Sequence, residues 1–245
     1  MTFGVTFIVF ARNEAQDLIL TLRSIEQAAK SLTIPVEIIA VNDGSIDRSK
    51  ETLNEYYRSE SNSLTKEVIN QNALGISTAI SNAIDYAIYS KCIPLPGHYM
   101  FDSNNLSRLI TSIDKADVVI GYRSNLFSER PIAKYLSAKI LKFLFYILID
   151  RRIKDPHGLI VYPTEFLREI ISADMKHENH IRALAYASRN HFSICNIPIQ
   201  IRKGHKIRSK EHGRPSVPRI SHLLTGLSEV INAKNIVKKS SNSPR

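Results

Sequence analysis

The sequence predicts an α/β fold: a mostly parallel β-sheet flanked by helices, with a ligand site at the carboxyl ends of its strands. Three observations carry that expectation. The apolar, β-branched runs Val5–Phe10 and Val36–Val41 have the continuous hydrophobicity of strands buried on both faces. Segments with apolar residues at helical spacing alternate with them, the order that generates a parallel sheet. The second run ends abruptly in Asn42-Asp43-Gly44-Ser45, as a buried strand does when it opens onto a ligand crevice.

Each element follows from its own pattern. Val5–Phe10 is the first strand. Asn13 is placed to cap the following helix, with Gln16 at the capping-box position, and Leu18, Leu22 and Ile25 share a face with Ile19. Val36–Val41 is the second strand. Gly44 permits the tight turn after it, Ser45 is placed to cap the next helix, and that polar helix runs to about Tyr57. Val68–Asn70 is a short strand. Ile76, Ala79, Ile80, Ala83, Ile84, Ala87 and Ile88 form the best helical stripe in the chain. Cys92–Asp102 (CIPLPGHYMFD) carries two prolines, which argue against a regular central strand.

Leu106, Leu109, Ile110 and Ile113 mark another helix. Asp117–Gly121 is a strand with Tyr122 and Arg123 at its exit. Pro131–Ile149 reads as a long amphipathic helix with Pro131 in its first turn. Asp155-Pro156-His157-Gly158 is a turn. Helices are expected over Thr164–Ala173 and Glu178–Asn190, and Phe192–Ile201 is a late strand whose Pro198 places it at an edge. The alternation is Rossmann-like. The predicted division is one α/β domain over 1–212 and a basic C-terminal helix and tail over 213–245.

Composition narrows the function. A chain of 245 residues with 43% hydrophobic residues can bury a full core and is not disordered. The net charge of +10 is concentrated from Arg123 onward and favours an anionic partner: a nucleotide, a phospholipid surface or a nucleic acid. Cys92 and Cys195 have neither metal-ligand spacing nor the number for a disulfide framework, which fits a reduced compartment. No basic-then-apolar leader opens the chain. The longest purely apolar run near the middle, Phe143–Ile149, falls far short of the about 20 residues a membrane span needs. There is no G-x-G-x-x-G after the first strand and no G-x-x-x-x-G-K-[ST], which disfavours dehydrogenases and P-loop enzymes. Helix-turn-helix, zinc-spacing and aromatic RNA-binding signatures are missing too, so a nucleic-acid partner rests on charge alone.

Four stretches in order resemble the family 2 glycosyltransferases of the GT-A fold, and among them the dolichyl- or polyprenyl-phosphate sugar synthases. Phe7–Leu18 (FIVFARNEAQDL) looks like the family's first strand and the Asn-Glu opening of its first helix. Val41–Ser49 (VNDGSIDRS) looks like its Asp-Asp-Gly-Ser-x-Asp loop. Asn72–Ala83 (NALGISTAISNA) is similar to the start of its third helix. Asp117–Arg123, Asp155–Leu159 and Arg202–Lys210 look like its Gly-x-Arg, Asp-x-x-Gly-Phe and late basic series. The resemblance covers residues 3 to 212 and implies a UDP- or GDP-sugar donor. It implies that Ala11, Arg12 and Glu14 line the base and ribose pocket and that Asp43 accepts hydrogen bonds from base or ribose. The alternative for Glu14 is a favourable charge in a helix's first turn. Arg202, Ser209 and Lys210 would lie over the donor or the acceptor phosphate, unless that segment is simply a solvated basic loop.

One departure stands out. The family places Asp-x-Asp after the strand preceding the Leu106 helix, where the carboxylates hold a divalent metal, Mn or Mg, against the donor diphosphate. Here that slot holds Pro96-Gly97-His98, and Asp102 is the nearest acid. Three readings stay open: His98 is a metal ligand assisted by Asp102 and the diphosphate, His98 contacts the diphosphate without metal, or catalysis is lost. Arg123 is the arginine best placed to stabilise the leaving diphosphate.

The acceptor expected from the resemblance is a glycan or a polyprenyl phosphate. A phosphate acceptor needs no strong base. A sugar hydroxyl does, and Glu178 and Asp155 are then the candidates, although Asp155 also suits a turn. The expected setting is cytoplasmic, with a peripheral contact at the inner face of the membrane. The Pro131–Ile149 helix, with Lys134, Lys139 and Lys142, would supply that contact if it is not a core-packing helix. The alternatives are a non-catalytic nucleotide-sugar-binding protein and, behind it, a basic nucleic-acid-binding module.

Overall fold

The computed structural model describes residues 1–59, 64–126, 132–171 and 179–202, with Ser228 and Ile231. Its elements are β1 (Thr2–Ala11), α1 (Ala15–Lys30), β2 (Val36–Asp43), α2 (Ser49–Arg58), β3 (Thr65–Gln71), α3 (Ile76–Ile84), β4 (Tyr89–Pro96) and α4 (Ser103–Ile110). They continue with β5 (Val118–Arg123), α5 (Ile132–Leu148), β6 (Leu159–Pro163), α6 (Thr164–Ile170), α7 (Asn179–Arg189) and β7 (Ile194–Ile199). The strands form a seven-stranded sheet in the order β3-β2-β1-β4-β6-β5-β7. β3, β2, β1 and β4 are mutually parallel, β6 is antiparallel to both its neighbours, and β7 runs parallel to β5.

The period of two along each strand divides the core into two layers. Val5, Phe7 and Val9 of β1 pack with Leu18, Leu22 and Ile25 of α1 and Leu106 and Leu109 of α4. Ile8 and Ile39 face the other way, onto Ala79, Ile80 and Ala83 of α3, Phe145 of α5 and Leu184 of α7. Sheet faces covered on both sides explain why β1 and β2 read as unbroken apolar runs.

Three local expectations are corrected. β4 is a strand, and a central one, despite Pro94 and Pro96. Gly97 N–H donates to Phe10 O at 2.9 Å, so the odd-numbered residues of β4 face β1. The even-numbered prolines point their nitrogens at the other edge, where β6 pairs only with Lys91 and Cys92. No ladder bond is lost.

α1 does not begin on an Asn13 cap, and the Asn13–Gln16 capping box does not form. Glu14 holds the N-cap position without a side-chain cap. The amides of Asn13, Glu14 and Ala15 instead donate to Ser45 Oγ (3.0 Å), Ser49 Oγ (2.9 Å) and Asp47 Oδ2 (3.2 Å). Ser45 therefore serves α1 rather than α2, whose N-cap is Arg48. In return Asn13, at φ +56°, accepts from Ile46 N–H at 2.8 Å. Two loops more than 30 residues apart are zipped together, which satisfies the orphan donors of a helix start.

α3 ends at Ile84; Ala87 of the predicted stripe is buried in the same layer beyond it, while Ile88 is exposed on the way into β4. β7 is an edge strand, as Pro198 implies.

α5 is two-faced. Phe145 and Ile149 are buried, while Leu136, Ile140, Phe143, Tyr146 and Ile147 are 42–60% exposed. Lys139 is exposed and Lys142 half-buried; Pro131 and the Lys134 side chain lie outside the described residues. Among the described residues no helix is long and apolar enough to cross a membrane.

Burial sets the two thiols apart. Cys92 is fully buried and its thiol pKa is pushed up by desolvation, with the Glu37 charge adding to the shift; Cys195 is half-buried. A thiol-reactive probe on the native protein is expected to leave Cys92 unmodified and to label Cys195, with both reacting in denaturant. Native labelling of Cys92 at the rate of Cys195 would show that the β4 core is not closed.

Candidate functional site

The register of the parallel strands builds the site. Phe10 pairs with Pro96, Ala11 with Asn42, and Asp43 with Gln71, so four strands end along one edge. The loops that follow them share that edge, the position where open parallel sheets bind ligands.

At the β2 and β3 ends lies a polar network. Asp43 is buried, and its carboxylate accepts from Gln71 Nε2 at 2.7 Å and from Gly75 N–H, which lies 3.1 Å from each oxygen. Asn42 donates to Asn70 Oδ1 at 3.0 Å and accepts from Ser45 N–H at 3.2 Å. Asn82 donates to Gln71 at 2.9 Å. Gly44 sits at φ +64°, and a Cβ there would stand 2.4 Å from Ala73 N, so the two loops touch backbone to backbone. Ala11 is buried at the last position of β1, Arg12 is exposed beyond it, and Glu14 is partly buried.

The loop after β4 is fastened against α1. Gly97 O accepts from the Thr21 hydroxyl at 2.9 Å, and the same oxygen of Thr21 accepts from Tyr99 N–H at 2.9 Å. His98 Nδ1 stands 3.9 Å from Glu14 Oε1, an ion pair when the imidazole is protonated. Tyr99 is at φ +33°, a strained conformation for a non-glycine residue. Asp102 is the N-cap of α4, and its Oδ1 accepts from Asn105 N–H at 2.9 Å and Asn105 Nδ2 at 2.8 Å.

Arg202 reaches this loop from the end of β7. Its N–H donates to Met100 O at 2.9 Å, its guanidinium lies 4.4 Å over the Tyr99 ring, and its Nε donates to Tyr99 O at 3.4 Å.

A second charged group lies at the end of β5. Arg123 makes a fork on Asp155, with Nε to Oδ2 at 2.9 Å and Nη2 to Oδ1 at 3.0 Å, and its backbone N–H adds a bond to Oδ2 at 3.1 Å. Asp155 is 2% exposed. Burial alone would raise its pKa, but the hydrogen bonds and charge of Arg123, with the charge of Lys142, hold it at about 2. Lys142 is pushed down by burial; the charge of Asp155 opposes that shift, and those of Arg123 and Lys154 add to it. Lys154 lies 5.2 Å over the Tyr122 ring.

The structure thus brings Ala11, Arg12, Glu14, Asp43, His98, Asp102 and Arg202 to one edge of the sheet, with Arg123 at the end of a strand that points the same way. Glu178, Ser209 and Lys210, and the 213–245 segment apart from Ser228 and Ile231, lie outside the described residues. Sequence reasoning passed over Tyr99 and Asn70 in these places, and it named Lys142 only as a headgroup contact and not as a neighbour of Asp155. No local pattern marks them, since each takes its place from a contact with a distant segment.

The metal expectation can be tested on the donor set. Among the described residues no three of His, Cys, Asp and Glu come together to hold a metal ion. His98 faces a carboxylate that would pair with it, and Asp102 has its Oδ1 engaged in capping a helix. These residues do not fit the oxygen-rich shell that Mg²⁺ or Mn²⁺ takes.

Solved structures share this architecture at low sequence identity. Glucosyl-3-phosphoglycerate synthase from Mycobacterium tuberculosis, solved with Mn²⁺, UDP and glucosyl-3-phosphoglycerate, superposes with a TM-score of 0.65 at 11% identity over 95% of this chain and 80% of its own. A mannosyltransferase from Pyrobaculum calidifontis, solved with GDP-Man and Mn²⁺, gives 0.62 at 13% identity over 100% of this chain and 77% of its own. No curated protein matches by sequence. The mostly parallel seven-stranded sheet with its flanking helices is the GT-A glycosyltransferase fold, as the sequence resemblance implied. The sequence model of glycosyl transferase family 2 matches residues 6–171, well over half of the chain, and the chain belongs to that family.

Proposed function

We propose that this protein transfers a glycosyl group from a UDP- or GDP-sugar to a glycan or a polyprenyl phosphate in polysaccharide or cell-envelope synthesis. The observation that carries the reading is the convergence of the loops after β1, β2, β3 and β4 around Asp43 on one edge of the sheet. Ala11, Arg12, Glu14 and Asp43 take the base and ribose. Arg202, with Ser209 and Lys210, takes phosphate. A divalent cation accompanies the nucleotide in the named neighbours, and the metal arm of the experiment below tests that requirement here.

In the transfer the acceptor oxygen forms a bond to the anomeric carbon from the face opposite the leaving group. The bond from that carbon to the phosphate oxygen breaks, and its electron pair leaves on the nucleoside diphosphate. Asp155 is ill suited to remove a hydroxyl proton, because it is buried against Arg123 and held at a pKa of about 2. That favours an acceptor whose oxygen is already anionic, with Glu178 as the base if it is a hydroxyl. The exposed apolar side of α5, which also carries the exposed Lys139, supports a peripheral contact with the inner face of a membrane for an otherwise cytoplasmic enzyme. The loss of Asp-x-Asp favours one second reading, a protein that binds the nucleotide-sugar without turnover.

Calorimetric titration with UDP, GDP and their sugars, in EDTA and in Mn²⁺, tests this. Asp43→Ala is expected to weaken the preferred donor by about 10- to 100-fold, or roughly 1.4–2.8 kcal/mol. Wild-type affinity in that variant would sink the pocket assignment. Binding with no release of nucleoside diphosphate on any acceptor would select the second reading.

A further inference from the structure

The geometry points to Arg202, carried on Tyr99 beside His98, as the group that grips the donor diphosphate where the family's metal-binding carboxylates would stand. This rests on the nucleotide-sugar reading above. The slot after β4 lacks both carboxylates, and the loop that fills it is held in an unusual shape. Thr21 clamps Gly97 and Tyr99 together, and Tyr99 is forced to φ +33°. Strain of that kind persists only when the surroundings over-determine it, and it gathers at ligand sites.

The strained residue presents a ring face and a carbonyl to one arginine. Arg202 uses both: its guanidinium lies 4.4 Å over the ring and its Nε bonds the carbonyl. The strand leading to Arg202 is pinned as well. Asn125 bonds Ile201 through both N–H and C=O at 2.8 Å, and Asn105 accepts from Gln200 N–H at 2.8 Å. A planar fork with its stem fixed and its Nε satisfied keeps its two terminal nitrogens for a partner, and among the described residues no protein acceptor meets them. That is the geometry with which arginine takes two phosphate oxygens at once.

Arg123 does not supply the same service, because its fork is spent on Asp155. His98, half-buried in the loop after β4, stands with its Nδ1 3.9 Å from Glu14 Oε1. Donor binding by this protein is therefore independent of divalent metal.

The test uses the full chain and four probes: UDP, GDP, uridine and guanosine. Each is titrated in EDTA and in Mn²⁺ against the wild type, Arg202→Ala, Arg202→Lys and His98→Ala. The wild type is expected to bind its diphosphate within about twofold in the two buffers. Arg202→Ala should lose at least about tenfold in EDTA, and Arg202→Lys, with charge but no fork, should fall between. His98→Ala should lose less. Affinity for the neutral nucleoside should stay at the wild-type level in both Arg202 variants, which separates a lost phosphate contact from a damaged pocket. Binding of diphosphate only in Mn²⁺, wild-type affinity of Arg202→Ala in EDTA, or an equal loss for nucleoside and diphosphate would each overturn the assignment. Failure of the wild type to bind either nucleotide in either buffer would instead overturn the donor reading from which this one starts.

Discussion

Asp155→Asn is expected to destabilise the protein by about 3–5 kcal/mol, because it leaves the Arg123 guanidinium buried without its counter-charge. In a domain of this size that is a fall of roughly 10 °C in Tm. The side chain keeps its shape and loses its charge, so the effect reports on the ion pair and not on a cavity. The same pair contributes to the loss of stability in acid. The folded pKa of about 2 lies below the ordinary carboxylate value of 3.8, so the folded state binds this proton less readily than the unfolded chain does. The stabilisation is complete above about pH 4 and disappears as the pH falls toward about 2, with a full size of about 2 kcal/mol. Urea midpoints measured between pH 5 and pH 2 should fall more steeply for the wild type than for Asp155→Asn. Parallel curves would mean that the carboxylate is not held down by its partner.

Gly44→Ala should be nearly as damaging for its size. The left-handed backbone costs alanine about 1–2 kcal/mol. Its methyl would meet the Ala73 backbone at 2.4 Å, where no flexible side chain can give way. Overpacking of that kind adds about 1–3 kcal/mol. Relief requires moving residues 72–75, and Gly75 is the residue whose amide bonds Asp43. Lost stability and weakened nucleotide binding should therefore appear together. A denaturation midpoint equivalent to less than about 0.5 kcal/mol of change would show that the loops are not in contact.

Much of the parallel half of the sheet was legible because its pattern is local. Strands buried on both faces must be apolar throughout, and β1 and β2 announce themselves for that reason. The loop Asn42–Ser45 was legible as a site because a buried strand rarely ends in four polar or small residues without purpose. β4 was hidden. Pro94 and Pro96 rule out a strand only if both its edges are paired, and the pairing of β6 with β4 through Lys91 and Cys92 alone cannot be seen in either segment.

The start of α1 was misread for a similar reason. Its capping groups, Ser45, Asp47 and Ser49, come from another loop, and a capping motif assumes that they are local. The partners of the site residues were equally out of reach. Arg123 and Asp155 are 32 positions apart, and Tyr99 and Arg202 are 103 apart. The residues could be nominated one by one, but whether a charge was available or already neutralised depended on the fold.

The narrow seam between β4 and β6 has a consequence for how such a protein changes over time. Two register pairs join the side of the sheet that carries Asp43 to the side that carries Arg123. Past Cys92 the prolines deny β6 any further amide to pair with, so the seam cannot lengthen by strand extension alone. Strand pairing therefore passes little register from one side to the other, although side-chain packing still joins them. Insertions, lost turns or new basic residues around β5 to β7 can accumulate without shifting the register in which β1, β2 and β3 align the nucleotide loops. Ancestry should therefore be easiest to detect in the first hundred residues and trade specificity easiest to alter in the second.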